Sequence, residues 1–294
     1  MNENSCCCII VTYDIGENLE KCFLSIKDQV KEIVIIDNGS NEETIQYLRY
    51  LSEKNSIKVI FNEENMGIAY ALNQGVKYAK EKKYDWIITM DNDSEAVEDM
   101  VSVMLNTYNS LDITEKQRIA GIFPEKIEKG LTNSRDYKKV NNYDDYIYIT
   151  HDITSGNLIK TKIFDEIGLF DEKLFIDSVD HELCYRILNM GYTMIKVRNS
   201  ILLHSLGKTK QKKILFKNVI YTNHSALRKY YMTRNRFYIW QKYKNLKEIN
   251  KLDKKNFIKE NIKILLLEED KIDKFKMILR GYIDYRNNRF GKKS

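Results

Sequence analysis

The chain has 294 residues, 43% of them hydrophobic and 31% charged, which suffices for one large buried core or a core with an extension. No run of about 18 apolar residues occurs, so no transmembrane helix is expected, and residues 1–5 lack the basic-then-apolar pattern of a signal peptide. The net charge of +6 hides an asymmetry: residues 207–294 carry 25 Lys and Arg against 8 Asp and Glu, which points to a polyanionic partner such as a membrane surface, a diphosphate or a nucleic acid.

Cys6 to Thr12 is an apolar run and predicts a buried strand. Its three consecutive cysteines suit a reduced interior better than a disulfide framework, so a cytosolic chain is expected. No CxxC pair and no Cys/His cluster has zinc spacing. Leu19, Cys22, Phe23 and Ile26 fall on one helical face. Ile33 to Ile36 is a second strand, ending at the turn-forming Asp37-Asn38-Gly39-Ser40. A helix is expected over 42–54, a strand over 57–61, and a helix over 67–81. Trp86 to Met90 is a strand that stops at Asp91-Asn92-Asp93, with Ser94 read as an N-cap. Strand–helix alternation of this kind predicts a mainly parallel sheet with helices on both faces. Ligands then bind beyond the carboxyl ends of the strands, where Thr12, Asp37, Asn65 and Asp91 converge.

Further on, residues 125–148 are polar and tyrosine-rich and read as a loop over the site. Ile153 to Ile159 reads as a strand interrupted by Ser155-Gly156-Asn157. A short helix runs from Thr161 to Gly168, a second helix over 177–190, and a strand over 192–197. From about residue 215 the chain reads as basic amphipathic helices. Two domains are expected: a catalytic one over 1–210 and a basic helical extension over 211–294.

Several of these segments can carry chemistry, and each also has a bland reading. Two carboxylates two residues apart after a strand can hold a hard divalent cation, which grips a diphosphate; a capped turn has the same composition. Asp37 is a turn residue or an acceptor for a nucleotide base. Asn65-Met66-Gly67 is a helix cap or an anion site at a helix start. Asp177, Asp180 and Glu182 are dipole partners at a helix start, or one of them is a general base, with Asp180 and Glu182 as rivals. His204 is structural or completes the cation site.

The order of the segments is more specific than any one of them. VTY, DNGS, NMG, MDND, TSGN, IDSVDHE and HSLG follow one another from Cys8 to His204, and the chain there resembles glycosyltransferase family 2. The resemblance implies a GT-A fold. It implies nucleotide-sugar binding by Thr12, Tyr13, Asp37, Asn65, Gly67 and Asp91. Asp93, supported by Asp91 and joined by His204, would bind magnesium or manganese. Asp180 would be the catalytic base, although Val179 stands where the family commonly has Glu. Ser155, Gly156, Glu182 and Arg234 would meet the acceptor or the diphosphate.

FIDSVDHELCYR, with Tyr230-Tyr231-Met232-Thr233-Arg234-Asn235, Gly281-Tyr282-Ile283-Asp284 and Arg289-Phe290-Gly291-Lys292, resembles the rhamnosyltransferase subgroup. It implies an inverting transfer from dTDP-rhamnose to a hydroxyl of a surface polysaccharide or lipid-linked saccharide. A UDP-hexose donor and a nucleotidyltransferase of similar fold are the alternatives. A non-catalytic nucleotide- or membrane-binding module fits less well, because Asp93 and Asp180 are both present. No reading motif supports nucleic-acid binding. The basic tail, with Phe237, Trp240 and its tyrosines among Arg228, Lys229, Arg234 and Arg236, is expected to touch an anionic membrane peripherally at its inner face.

Overall fold

The computed structural model of the chain describes residues 5–129, 145–204, 209–214 and 217–293. It divides into two compact units, one formed by residues 1–172 and 179–205, the other by 173–178 and 206–294.

The first unit is built on β1 (Cys6–Thr12), β2 (Glu32–Asp37), β3 (Lys58–Phe61) and β4 (Trp86–Asp91), all parallel. Between them run α1 (Leu19–Ile26), α2 (Glu42–Asn55) and α3 (Ile68–Glu81). The helix faces predicted from spacing are the buried ones: Leu19, Cys22, Phe23 and Ile26 on α1, and Ala69, Ala71, Leu72, Gly75, Val76 and Ala79 on α3. Each Leu or Ile so buried contributes roughly 1.5–3 kcal/mol, so the two faces hold the helices to the sheet without help from propensity. All five cysteines are free and buried, and burial pushes the Cys7 and Cys22 thiols up to about 12, so they are inert core residues.

The second half of this sheet is mixed. After β4 come β5 (Glu95–Ala96), α4 (Met100–Ser110), α5 (Ile113–Arg118), β6 (Ile119–Glu128), β7 (Tyr146–Ile149), β8 (Asn157–Lys160), α6 (Ile163–Ile167), α7 (Val179–Asn189) and β9 (Thr193–His204). The strand order is β3-β2-β1-β4-β8-β6-β9-β5, with β7 beside β9. β8 is antiparallel to both β4 and β6, whereas β6 and β9 are parallel.

Four expectations need correction. The loop expected over 125–148 is strand at both ends, in β6 and β7, and residues 130–144 lie outside the described residues. The strand expected over 153–159 begins only at Asn157, and the one expected over 192–197 continues to His204. The fourth is in the second unit. Its first element is not a helix but an antiparallel hairpin of β10 (Thr209–Ile214) and β11 (Lys217–Thr222).

Three helices complete the second unit: α8 (Ala226–Lys242), α9 (Lys247–Leu267) and α10 (Lys271–Arg286). Ser225 caps α8 by accepting from the Arg228 amide. The aromatic residues expected at a membrane pack against one another here. Phe237 meets Trp240, Phe257, Tyr282 and Tyr285 at centroid separations of 4.8–5.9 Å. Asn235 is fully buried, and its amide nitrogen donates towards the carbonyls of Leu174, Ile176 and Asp177. That segment includes three non-glycine residues with left-handed backbone: Phe175, Asp177 and Ser178. Such conformations cost of order 1–3 kcal/mol each and persist only where neighbours enforce them. Asn235→Ala is therefore expected to lower unfolding stability by about 2 kcal/mol or more, measured by denaturant titration, because buried carbonyls lose their donor. A change under 0.5 kcal/mol would show that the segment holds itself.

Candidate functional site

The site lies at the carboxyl edge of the parallel strands. Register alone brings its parts together: Thr12 pairs with Asp37 across β1 and β2, and Val11 pairs with Asp91 across β1 and β4. Thr12 and Asp37 are buried, and the Thr12 hydroxyl donates to Asp37 Oδ1 at 3.2 Å. Ser40 donates to both carboxylate oxygens, through its hydroxyl and its amide. Asn38 and Asn65 form a second cluster. Asn38 Nδ2 donates to Asn65 Oδ1 at 3.1 Å, and the amides of Met66 and Gly67 donate to Asn38 and Asn65. The loops close tightly: a Cβ on Gly39, at φ +80°, would stand 2.4 Å from the Glu64 carbonyl carbon. Tyr13, next after Thr12 in the chain, is half exposed.

Asp91 and Asp93 lie with His204 in one group, their ligand atoms all within 4.8 Å of one another. A chain of hydrogen bonds holds the group. The Asp91 amide donates to Ser155 Oγ (3.0 Å), Ser155 Oγ donates to Ser94 Oγ (2.8 Å), and Ser94 Oγ contacts His204 Nδ1 (2.9 Å). Ser94 is thus no N-cap; it orients the imidazole. Where His204 Nδ1 donates to Ser94, Nε2 keeps its lone pair for a cation. Ser155 is fully buried, so its expected contact with the acceptor or diphosphate is replaced by this internal role. Gly156 likewise shapes the turn: at φ +79° its Cβ would stand 2.7 Å from Pro124 Cγ.

Charge in this group is unbalanced. Burial pushes the Asp91 carboxyl up to about 7, and the neighbouring Asp93 and Asp180 carboxylates push the same way, with Lys126 partly opposing them. Burial also lowers the His204 pKa, although Asp93 pulls it back up. Two carboxylates and an imidazole that repel or desolvate one another in this way fit a divalent cation, which would relieve the repulsion.

Asp180 starts α7. Burial alone would raise its pKa, but the His181 ring and amide, both bound to Asp180 Oδ1 at 2.8–2.9 Å, outweigh it and hold the carboxyl below its ordinary value. Behind it the rings of His151, His181 and Tyr185 pack at 4.9–6.1 Å. Asp152, 11% exposed, is gripped by Lys126 and Lys196, each at 2.9 Å.

Two predicted site residues have other settings. Glu182 is fully buried and pairs with Arg186 at 2.7 Å, while Arg186 also donates to the carbonyls of Ile167 and Leu169. Its carboxylate anchors α7 through Arg186 and, unlike Asp180, is fully buried. Arg234, 1% exposed, belongs to the second unit. It donates to Asn235 Oδ1 and to the carbonyls of Gly291, Lys173 and Leu174. Its donors are consumed by the chain, so no diphosphate contact is available. Lys126 and Asp152 carry no signal in the sequence, and His181 stands in the IDSVDHE segment, next to Asp180.

The model of the family described as glycosyl transferase family 2 matches residues 7–168. A dTDP-rhamnosyl transferase of Shigella flexneri, RfbF, is 31% identical over 80% of this chain and 79% of its own length. A poly-beta-1,6-N-acetyl-D-glucosamine synthase of Staphylococcus aureus is 31% identical over 34% of the chain and 24% of its own. Among solved structures, GalNAc-T7 with UDP, GalNAc and Mn2+ has TM-score 0.57 at 18% identity, over 78% of this chain and 47% of that one. A mannosyltransferase of Pyrobaculum calidifontis with GDP-Man and Mn2+ has TM-score 0.54 at 16% identity, over 78% and 61%. At those identities the likeness concerns the fold, which is the GT-A fold.

Proposed function

The chain belongs to glycosyl transferase family 2, is a glycosyltransferase that uses a nucleotide sugar, and from that premise we propose that it transfers rhamnose from dTDP-rhamnose, with inversion, to a saccharide hydroxyl. One observation carries the reading: an Asp91–Asp93–His204 group at the carboxyl edge of the sheet, with Asp180 near enough for its charge to act on Asp91. The identity to a dTDP-rhamnosyl transferase over most of both chains supports the donor.

In this reading Thr12, Tyr13, Asp37, Asn65 and Gly67 line the nucleotide end of the donor. Asp91, Asp93 and His204 would hold a divalent cation, magnesium or manganese, which would supply positive charge to the departing diphosphate. Asp180 is ionised at neutral pH. With His181 fixed on Oδ1, its second oxygen takes the proton from the acceptor hydroxyl as that oxygen attacks the anomeric carbon. The C–O bond to the sugar forms while the bond to the diphosphate breaks, so the configuration inverts. The partly buried Lys126–Asp152–Lys196 cluster keeps positive charge beside this acidic site.

The acceptor is a lipid-linked or growing surface saccharide, met at the inner face of the plasma membrane. No described helix is long and apolar enough to cross a membrane, and the contact proposed with the bilayer is a peripheral one. The test is a donor screen: dTDP-rhamnose, UDP-galactose, UDP-glucose and UDP-N-acetylglucosamine, followed by free nucleotide diphosphate. We expect dTDP-rhamnose to turn over at least tenfold faster than the others. Preference for a UDP-sugar would keep the family and overturn the donor; release of pyrophosphate would overturn the reaction.

A further inference from the structure

The second unit sorts its side chains in an unusual way. On α9, positions 250, 253, 257, 260 and 264 recur at helical spacing and face inward. Asn250 and Ile264 are buried, and Phe257 packs on Phe237. Asp253 accepts from Trp240 Nε1 at 2.8 Å and pairs with Arg236, and Glu260 pairs with Arg236 at 2.9 Å. At the end of the helix, buried Glu268 lies between Lys229 (3.5 Å) and Lys274 (2.9 Å). On α10, buried Asp284 accepts from Tyr230. Asp253, Glu260, Glu268 and Asp284 are thus spent on cations and ring donors.

The opposite face of α9 holds the reverse mixture. Lys251, Lys255, Ile258, Ile262 and Leu266 follow at i, i+4, i+7, i+11 and i+15, one stripe about 180° from the buried one. Ile258, Ile262 and Leu266 are 60%, 50% and 61% exposed. On α10, Ile272, Phe275, Leu279 and Ile283 form a second exposed stripe at i, i+3, i+7 and i+11, with Ile272 at 73%. At the start of α9 a cleft of about 500 Å³ is lined by Trp240, Asn250, Ile258 and five lysines, Lys244, Lys247, Lys251, Lys254 and Lys255, and by no carboxylate.

We propose that this outward face of α9, with the lysine cleft at its start, docks on an anionic lipid bilayer. The cleft takes phosphate headgroups, and Ile258, Ile262 and Leu266 enter the boundary between headgroups and acyl chains. Charge decides the occupant. A second copy meeting this face through its own would set lysines against lysines, because no carboxylate lines the cleft. An anionic leaflet answers every one of them and leaves the leucine and isoleucine side chains an apolar phase. Of the residues expected at the membrane, Trp240 lines this cleft, whereas Arg234 is 1% exposed and takes no part. The proposal rests on the reading that the acceptor is membrane-bound, and it names the surface that brings the enzyme to it.

The test uses the whole chain and vesicles of phosphatidylcholine with or without one-third phosphatidylglycerol, in a flotation assay at low and high salt. Three proteins are compared: the parent, a Lys251→Gln/Lys254→Gln/Lys255→Gln triple, and an Ile258→Ser/Ile262→Ser/Leu266→Ser triple. Circular dichroism and thermal melting check folding. All six positions are exposed, so both triples should fold. The parent should float with the anionic vesicles and release from them as salt rises. Each triple should bind at least tenfold more weakly, since each basic residue and each inserted side chain contributes separately. Donor turnover without vesicles should match in all three. Absence of flotation at low salt, or equal flotation by the triples, overturns the proposal. So does a parent dimer that the apolar triple dissolves, because the face would then be a protein contact. A parent that floats as expected but turns over no donor leaves the docking face standing and removes the catalytic reading instead.

Discussion

Asp93→Ala is expected to abolish sugar transfer, with turnover at least 10³-fold below the parent. The physical reason is charge. A departing nucleoside diphosphate gains negative charge as the glycosidic bond breaks, and a divalent cation stabilises that charge by several kcal/mol. A loss of about 4 kcal/mol is a factor of roughly 10³. Asp93 belongs to the only group of three cation-ligating side chains found among the described residues, with Asp91 and His204. Removing it leaves one carboxylate and an imidazole, too few donors to hold a hard cation against water. The measurement is donor turnover with and without manganese, paired with manganese binding to the protein by electron paramagnetic resonance. Parent activity should vanish in excess chelator and return with added metal. Full activity in chelator would remove the metal from the reaction. Tight manganese binding by Asp93→Ala would remove Asp93 from the site.

Asp180→Asn is the second large effect. It should slow transfer by about 10²-fold or more while leaving donor binding nearly unchanged, the scale of losing a general base. Asparagine keeps the size of the side chain and accepts the His181 bonds, but it cannot take a proton. Glu182→Gln is the contrast. Glu182 is buried against Arg186, so this change leaves a buried guanidinium without its counter-charge. It should cost about 3 kcal/mol of stability and touch transfer only through lost folded protein. Single-turnover rates at saturating donor, with denaturant unfolding of both variants, separate the two. Normal transfer by Asp180→Asn with a dead but stable Glu182→Gln would reverse the assignment.

The two carboxylates show where local information ends. Asp180 and Glu182 are two residues apart in the first turn of α7, so they point to opposite sides of the helix. Either could be a base on composition alone. Packing of α7 turns Glu182 to the interior and Arg186, and leaves Asp180 beside the acidic group. Arg234 is a similar case. In sequence it is a cation among tyrosines, suited to a diphosphate. In the fold it is 1% exposed and consumed by carbonyls from distant segments.

By itself the sequence determined the strand–helix order of the first ninety residues, the edge on which Thr12, Asp37, Asn65 and Asp91 meet, and the motifs that mark the family. Those signals are short-range: alternation and helical spacing act over a turn or a strand, and a parallel sheet converts strand ends into neighbours. Tertiary structure alone decided the rest. β6 and β9 pair across more than seventy residues, β8 runs antiparallel between them and β4, and the Ser155–Ser94–His204 chain joins three separate segments. It also decided which side of α9 would be acidic and inward and which basic and apolar. Both sides carry charged residues, and the partners that bury one side, Arg236 and Trp240, lie on α8, before α9 in the chain, brought to it only by the packing of the helices.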